Sequence, residues 1–348
     1  MQIGKLRSFI QIPLLSCCMG LAGILLPSVT AAAFDASINV VEAQRTLHSH
    51  ILKERLSAGL VSKSIQINDI TWYYNEGGHR DKPTLLLLHG LTGNRDHWNR
   101  VAQFLTPYYH VIVPDLPGNG DTKISDKFDF SVPNVTSELR NFSEKLNIEE
   151  SLHIAGHSFG GSIATMYAAQ YPFDTQSLFL LNSAGIYRHA NTIYSKDLTN
   201  LQQLVVSRPG ELDHVIHQLM QNPPQIPFRV KYAAEKLLIS KSKQNKKFVE
   251  QLVNLTRIYT PDSFARLTRT IEAPTLILWG KQDKIINVEV ANELQSLLKR
   301  AEAPVILNNV GHMPILEADQ LVAKHYLPFL AKTQHLKNPL ADQLIPLN

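Results

Sequence analysis

Three side chains, far apart in a 348-residue chain, are of the types that acyl transfer needs. Ser158 stands in Gly156-His157-Ser158-Phe159-Gly160, Asp283 in "WGKQDKIIN" and His312 in "NNVGHMPILE". A serine hydroxyl is a weak nucleophile at neutral pH. It becomes effective when an imidazole takes its proton and a carboxylate orients that imidazole and stabilises its cation. The order Ser158, Asp283, His312 is one in which this constellation occurs. The chain has 14 histidines, so residue type alone does not select His312; its place directly after an apolar strand-like run does.

The elements that must position these residues are legible as short apolar runs: Thr84–Leu88, Val111–Val113, Leu152–Ala155, Leu178–Leu181, Thr275–Trp279 and Pro304–Leu307. They are almost continuously apolar rather than alternating, as expected of strands buried on both faces of a parallel sheet. Helical periodicity follows several of them, as over Ser162–Gln170 and Val288–Leu298. This alternation predicts an α/β fold, a mostly parallel, doubly wound sheet with helices on both faces. In such sheets chemistry gathers at the carboxyl ends of the strands. Those ends are His89-Gly90, Asp115, Ser158, Asn182-Ser183, Asp283 and His312.

Ser158 therefore belongs to a tight strand–turn–helix connection that exposes its hydroxyl in a strained conformation. Gly156 and Gly160 are required because a side chain at either would collide with the neighbouring strand and helix. G-x-S-x-G alone is common by chance; the strand before it and the helix after it give it weight. The Phe159 amide, at the helix N-terminus, is free to donate to an anion. The Leu91 amide, in the loop after His89-Gly90, supplies a second donor for an oxyanion. His89 reads as a structural hydrogen-bonding residue. Asp115 is a rival acid by type, but it precedes Ser158 and reads as structural; Asp121 reads as a surface-loop residue.

Composition bounds the rest. The chain is 44% apolar and 18% charged with a net charge of +4, ordinary for a globular protein and without a nucleic-acid footprint. Lys5 and Arg7, the apolar stretch Leu14–Leu26 and the run Ala31-Ala32-Ala33 read as a signal peptide over residues 1–33, cut before Phe34, which implies export to the periplasm or medium. Two other readings stay open: a lipoprotein site at Leu14-Leu15-Ser16-Cys17, and a retained membrane anchor. Both cysteines, Cys17 and Cys18, lie in this segment, so a cleaved chain has neither a disulfide nor a thiol nucleophile.

Residues 34–63 carry Val40, Val41, Leu47, Ile51, Leu52, Leu56 and Leu60 at helical spacing, an amphipathic helical extension that packs on the core or touches a membrane surface. The first part of the core is expected over 64–186, beginning with two short strands around the Asn68-Asp69 turn, and the second over 263–333, with a tail at 334–348. Between them, over 187–262, the β/α rhythm stops. This stretch reads as a helical cap, broken at Pro209-Gly210 and at residues 222–227. Leu201, Leu204, Val205, Leu219, Met220, Ile226 and Phe228 either face the site or pack the cap on the core. "KSKQNKK" at 241–247 reads as a solvated helix face, with contact to anionic lipid as a lesser alternative.

Taken together and in order, His89-Gly90, "DLPGNG", "GHSFGG", "LLNSAG", "WGKQDKI" and "NNVGHMPILEA" resemble the α/β-hydrolase superfamily, most of all the cold-active bacterial lipases and the monoacylglycerol lipases of animals. The resemblance spans roughly residues 65–332. It implies that nucleophile, acid and base fall on Ser158, Asp283 and His312, that the oxyanion amides fall on Leu91 and Phe159, and that no metal or cofactor takes part. One departure is "HGLTG", where many members carry an aromatic residue after His-Gly; it bears on the shape of the acyl pocket more than on the chemistry. The expected activity is carboxylic-ester hydrolysis, foremost release of fatty acid from acylglycerols, acting on a lipid substrate with contact to a lipid surface. A short-chain carboxylesterase and a carbon–carbon bond hydrolase of the same fold are the alternatives. A degenerate, non-enzymatic homologue is disfavoured because no member of the triad is missing.

Overall fold

The apolar runs form strands, and adjacent residues within them go to opposite cores. In β3 (Thr84–Leu88), Leu86 and Leu88 pack with Ile154, Leu178 and Leu180, whereas Leu85 and Leu87 pack with Ala155, Phe179 and Leu181. Both faces are dry, which is why these runs do not alternate. Each leucine buried in this way contributes about 1.5–3 kcal/mol. The computed structural model describes residues 39–255 and 259–335. The leader assigned to 1–33, with both cysteines, and residues 336–348 of the tail lie outside the described residues.

The sheet has eight strands in the order β1 (Leu60–Ile67), β2 (Ile70–Gly77), β4 (His110–Pro114), β3, β5 (Leu152–His157), β6 (Thr175–Leu181), β7 (Thr275–Gly280) and β8 (Val305–Leu307). β2 runs antiparallel to β1 and β4, and every other pairing is parallel. One face is covered by Val135, Leu139 and Phe142 of α3 (Val132–Leu146), Ile163, Ala164 and Tyr167 of α4 (Phe159–Gln170), and Leu294 of α9 (Val290–Leu297). The other is covered by Val101, Ala102 and Leu105 of α2 (Asn99–Leu105) and Val322, Tyr326 and Leu330 of α11 (Asp319–Thr333). This is the doubly wound α/β arrangement expected from the sequence.

The N-terminal extension is helical only in part. α1 (Val40–Ser57) ends before Gly59, whose φ of +63° is open to a residue without Cβ, and the chain turns directly into the edge strand β1 at Leu60. Residues 60–63 are therefore strand, not helix. α1 lies along the long cap helix α7 (Phe228–Leu255) and is tied to the core by Arg55, which grips the Asp96 carboxylate at 2.6 and 2.7 Å. Its apolar stripe is only half used: Leu47 and Ile51 turn toward a cavity, while Val40, Val41, Leu52 and Leu56 stay exposed.

Between β6 and β7 the chain departs from the sheet and returns through α5 (Ile193–Lys196), a 3-10 turn (Leu198–Leu204), α6 (Glu211–Leu219), α7 and α8 (Pro261–Thr268). Val206, Leu212, Val215 and Ile216 form a small core within this insertion. Of the seven apolar residues picked out there from sequence, Leu201, Leu204, Val205, Leu219 and Met220 line the cavity. Ile226 instead joins the insertion's own core, and Phe228 is exposed. The basic stretch at 241–247 is largely exposed, with Lys243, Gln244, Lys246 and Lys247 at the surface, as its reading as a solvated face expects, but it also makes contacts of its own. Lys241 and Lys247 donate to the carbonyls of Gly120 and Asp126, and Gln244 Nε2 to that of Gly118 at 2.6 Å. The stretch straps α7 to the loop after β4. Among the described residues no helix is long and apolar enough to cross a membrane.

Candidate active site

β5 delivers Ser158 at its carboxyl end with φ +51° and ψ −120°, a backbone conformation that non-glycine residues rarely adopt. The strain is held by close packing. A Cβ on Gly156 would lie 2.3 Å from the Gly160 carbonyl, and one on Gly160 would lie 2.5 Å from the Leu88 carbonyl. The Ser158 amide donates to Leu181 O at 3.0 Å and its carbonyl accepts from Ala184 N at 2.9 Å, so β6 fixes the turn from the side. The side chain is left at the floor of a cavity.

β7 and β8 deliver the other two groups. His312 Nε2 lies 2.9 Å from Ser158 Oγ, and His312 Nδ1 lies 2.8 Å from Asp283 Oδ2. An ionised carboxylate can only accept, so Nδ1 carries the proton and Nε2 faces the hydroxyl as an acceptor. Asp283 is fixed at both oxygens. Oδ1 accepts from Ile285 N at 2.8 Å and Ile286 N at 2.9 Å, and Oδ2 also accepts from Asn182 Nδ2 at 2.7 Å. All three residues are buried. The arrangement can pass a proton from the serine hydroxyl to the imidazole while the carboxylate stabilises the resulting cation.

Leu91 and Phe159 both line the cavity, and neither amide donates to any described residue. The Leu91 loop is built by a turn from Gly93 N to Gly90 O at 3.1 Å, with Thr92 at φ +55°. His89 behaves structurally: its Nε2 accepts from Leu116 N at 2.9 Å and its Nδ1 donates to Gly90 O at 2.8 Å. Burial pushes its pKa down to about 3, so it stays neutral. Asp115 is also buried, but its carboxylate is taken up by the Arg95 guanidinium and by the amides of Arg95 and Asp121. It does not reach the site. Asp121 is exposed and pairs with Arg95 at 2.8 Å.

The cavity above Ser158 holds about 580 Å³. Its walls are mostly apolar, from the insertion, from α4 through Met166, and from Leu47 and Ile51 of α1. Among the described residues no Lys, Arg, Asp or Glu lines it.

Residues 85–325 match the model of a family described as the alpha/beta hydrolase family. The chain belongs to the alpha/beta hydrolase family. It is 30% identical over 290 residues to Lipase 1 of Psychrobacter immobilis, covering 82% of this chain and 89% of that one. Two solved structures superpose closely on this hydrolase. A candidate lipase from Acinetobacter baumannii AYE is 61% identical, with a TM-score of 0.82 over 83% of this chain and 96% of that one. A bacterial membrane phospholipase A is 33% identical, with a TM-score of 0.80 over 88% of this chain and 96% of that one.

Three residues of this hydrolase support the site without having been singled out for it from sequence. Asn182, at the end of β6 in "LLNSAG", joins the Asp283 carboxylate to the His312 loop, donating also to Gly311 O at 3.3 Å. Its place at a strand's carboxyl end was the available signal. His157 donates through Nε2 to the backbone carbonyl of His312 at 2.6 Å. Glu317, on the short α10 (Pro314–Glu317), accepts from Gly311 N at 3.0 Å and from Gln221 N and Asn222 N of the insertion at 2.8 and 2.9 Å. No pattern within the sequence marks the connection to Gln221 and Asn222, which lie 96 and 95 residues away.

Proposed function

We propose that this enzyme is a serine carboxylic-ester hydrolase that releases fatty acid from lipid esters, foremost acylglycerols, through an acyl-enzyme on Ser158. The observation that carries the reading is the continuous hydrogen-bonded chain Ser158–His312–Asp283 at the floor of a largely apolar cavity. The similarity to a lipase of Psychrobacter immobilis supports the substrate class.

In this mechanism His312 takes the Ser158 proton as Oγ attacks the ester carbonyl. The Leu91 and Phe159 amides receive the developing oxyanion, and each such donor is worth about 10²–10³ in rate. The tetrahedral intermediate expels the alcohol, which leaves with the proton from His312. Water, deprotonated by His312, then attacks the acyl-enzyme and frees the fatty acid. The insertion excludes water from the acyl chain and presents it with apolar wall. The leader's basic start and apolar run support a location outside the cytoplasm, released or held at a membrane.

The test is hydrolysis of p-nitrophenyl esters from acetate to palmitate, with emulsified tri- and monoacylglycerol alongside, by wild type and Ser158→Ala. Long-chain activity that vanishes in the variant supports the proposal. Activity confined to short chains makes the enzyme an esterase, and activity that survives Ser158→Ala removes the serine from the mechanism.

A further inference from the structure

Most polar side chains in the cavity wall are engaged within the protein. Tyr187 OH donates to Ser183 O at 3.1 Å, Ser195 and Ser263 belong to capping boxes, and Asn94 caps the helical turn after the Leu91 loop. Asn245, like Thr92, His97, Ser162, Tyr194 and Tyr259 of the same wall, is not so engaged. It lines the cavity and is 6% exposed, yet its side-chain amide makes no hydrogen bond to any described residue. Neither of its amide atoms is sealed off, so the group is free to take a partner from outside the protein. Here the open side is the cavity itself.

Its position tells what it would meet. Ala234, Leu237, Leu238, Asn245 and Leu252 are the wall positions of α7. At 1.5 Å per residue, Asn245 stands about 10 Å along the helix from the leucine on either side. One turn on, Phe248 stacks on Phe130 with centroids 4.5 Å apart and meets Phe159 edge-on at 5.1 Å. Phe159 adjoins Ser158, so this turn of α7 packs beside the turn that carries the candidate nucleophile. An amide both donates and accepts without charge, which suits an alcohol hydroxyl. Among the described residues no charged side chain lines the wall, so a phosphodiester headgroup would find no counter-charge from them.

We propose that Asn245 binds a free hydroxyl on the alcohol side of the substrate, selecting partial acylglycerols over esters of simple alcohols and over phospholipids. This rests on the ester-hydrolase reading above. The test compares 1-monooleoylglycerol, methyl oleate and oleoyl lysophosphatidylcholine in mixed detergent micelles, for wild type, Asn245→Leu and Asn245→Ala. The expected wild type prefers monooleoylglycerol, and both variants lower the ratio of kcat/KM for monooleoylglycerol to that for methyl oleate by about fivefold to tenfold, the worth of one hydrogen bond. Asn245→Leu melts no lower than wild type, because the amide faces the cavity and gives up no protein partner. A structural asparagine would melt lower. An unchanged ratio in both variants overturns the assignment while leaving the hydrolase intact, as does wild-type preference for the lysophospholipid. Wild type that cleaves none of the three overturns the function, and the subsite with it.

Discussion

His157 Nε2 donates to the backbone carbonyl of His312 at 2.6 Å, with the two rings 5.1 Å apart. The residue before the candidate nucleophile thus holds the chain that carries the candidate base. From the other side, the His312 amide donates to Leu219 O at 2.7 Å, at the end of α6. Burial pushes the His157 pKa well below the ordinary imidazole range, so the ring stays neutral and its one proton is committed to that carbonyl.

Replacing His157 by Phe removes this donor and leaves the His312 carbonyl unpaired. The expected result is a drop in kcat of about tenfold or more with KM little changed, since a loosened base costs transition-state stabilisation rather than binding. His157→Gln, which restores an N–H, should recover part of the loss. Equal loss in the Phe and Gln variants would show that the hydrogen bond does not matter to the rate.

Asn182→Leu tests the support of the acid. Leucine keeps the volume but takes the Nδ2 donor from Asp283 Oδ2 and from Gly311 O. A lost partner on a buried carboxylate costs about 1–3 kcal/mol of stability, and kcat should fall with it. Urea unfolding together with steady-state kinetics reads both, and a normal kcat in a destabilised variant would make Asn182 a packing residue only.

Glu317→Ala cuts the bridge between the His312 loop and the start of the 222–227 break. Gly311, Gln221 and Asn222 lose their shared acceptor. Gln221 and Asn222 are exposed and can turn to water, so the loss of global stability should be small, about 1 kcal/mol. Local opening should become easier, visible as faster cleavage within residues 220–227 by a non-specific protease. An unchanged cleavage rate would mean that the insertion is held elsewhere, by the α7 strap for instance.

Acid should destabilise the fold from about pH 6.5 downward. Burial lowers His89 to about 3, His153 to about 4 and His157 well below its ordinary value. The unfolded chain then takes up protons before the folded one does, so the stability these groups support is complete above about 6.5 and is lost as pH falls through the window. Asp115 acts in the opposite sense: burial pushes it up to about 6 against the pull of Arg95, which favours the folded state as pH falls between about 4 and 6. Four histidines, His97 being lowered by burial as well, outweigh Asp115 and the likewise raised Asp174, and each histidine contributes up to about 1.4 kcal/mol per pH unit. Unfolding midpoints in urea at pH 7, 6 and 5 should fall steadily, and a flat series would contradict the neutral state of these rings.

Local chemistry alone determined much of this protein. Continuous apolar runs announce strands with two dry faces, as at Leu85–Leu88, because no polar residue can be placed there without cost. Gly156 and Gly160 around Ser158 announce a turn too tight for Cβ. Both signals lie within a few residues of what they describe, and the order of strand ends then singles out Asp283 and His312. The tertiary structure decided what depends on long separations. That His157 rather than another histidine holds His312, that Asn182 steadies Asp283 and that Glu317 joins two loops are contacts between residues far apart in the chain. The stretch 241–247 makes the same point: its charges read as solvated and most are exposed, but only the packing of α7 against the loop after β4 gave Lys241 and Lys247 their carbonyl partners and set Asn245 in the cavity wall. A helix has one periodicity but several possible neighbours, and only folding chooses which of them it meets.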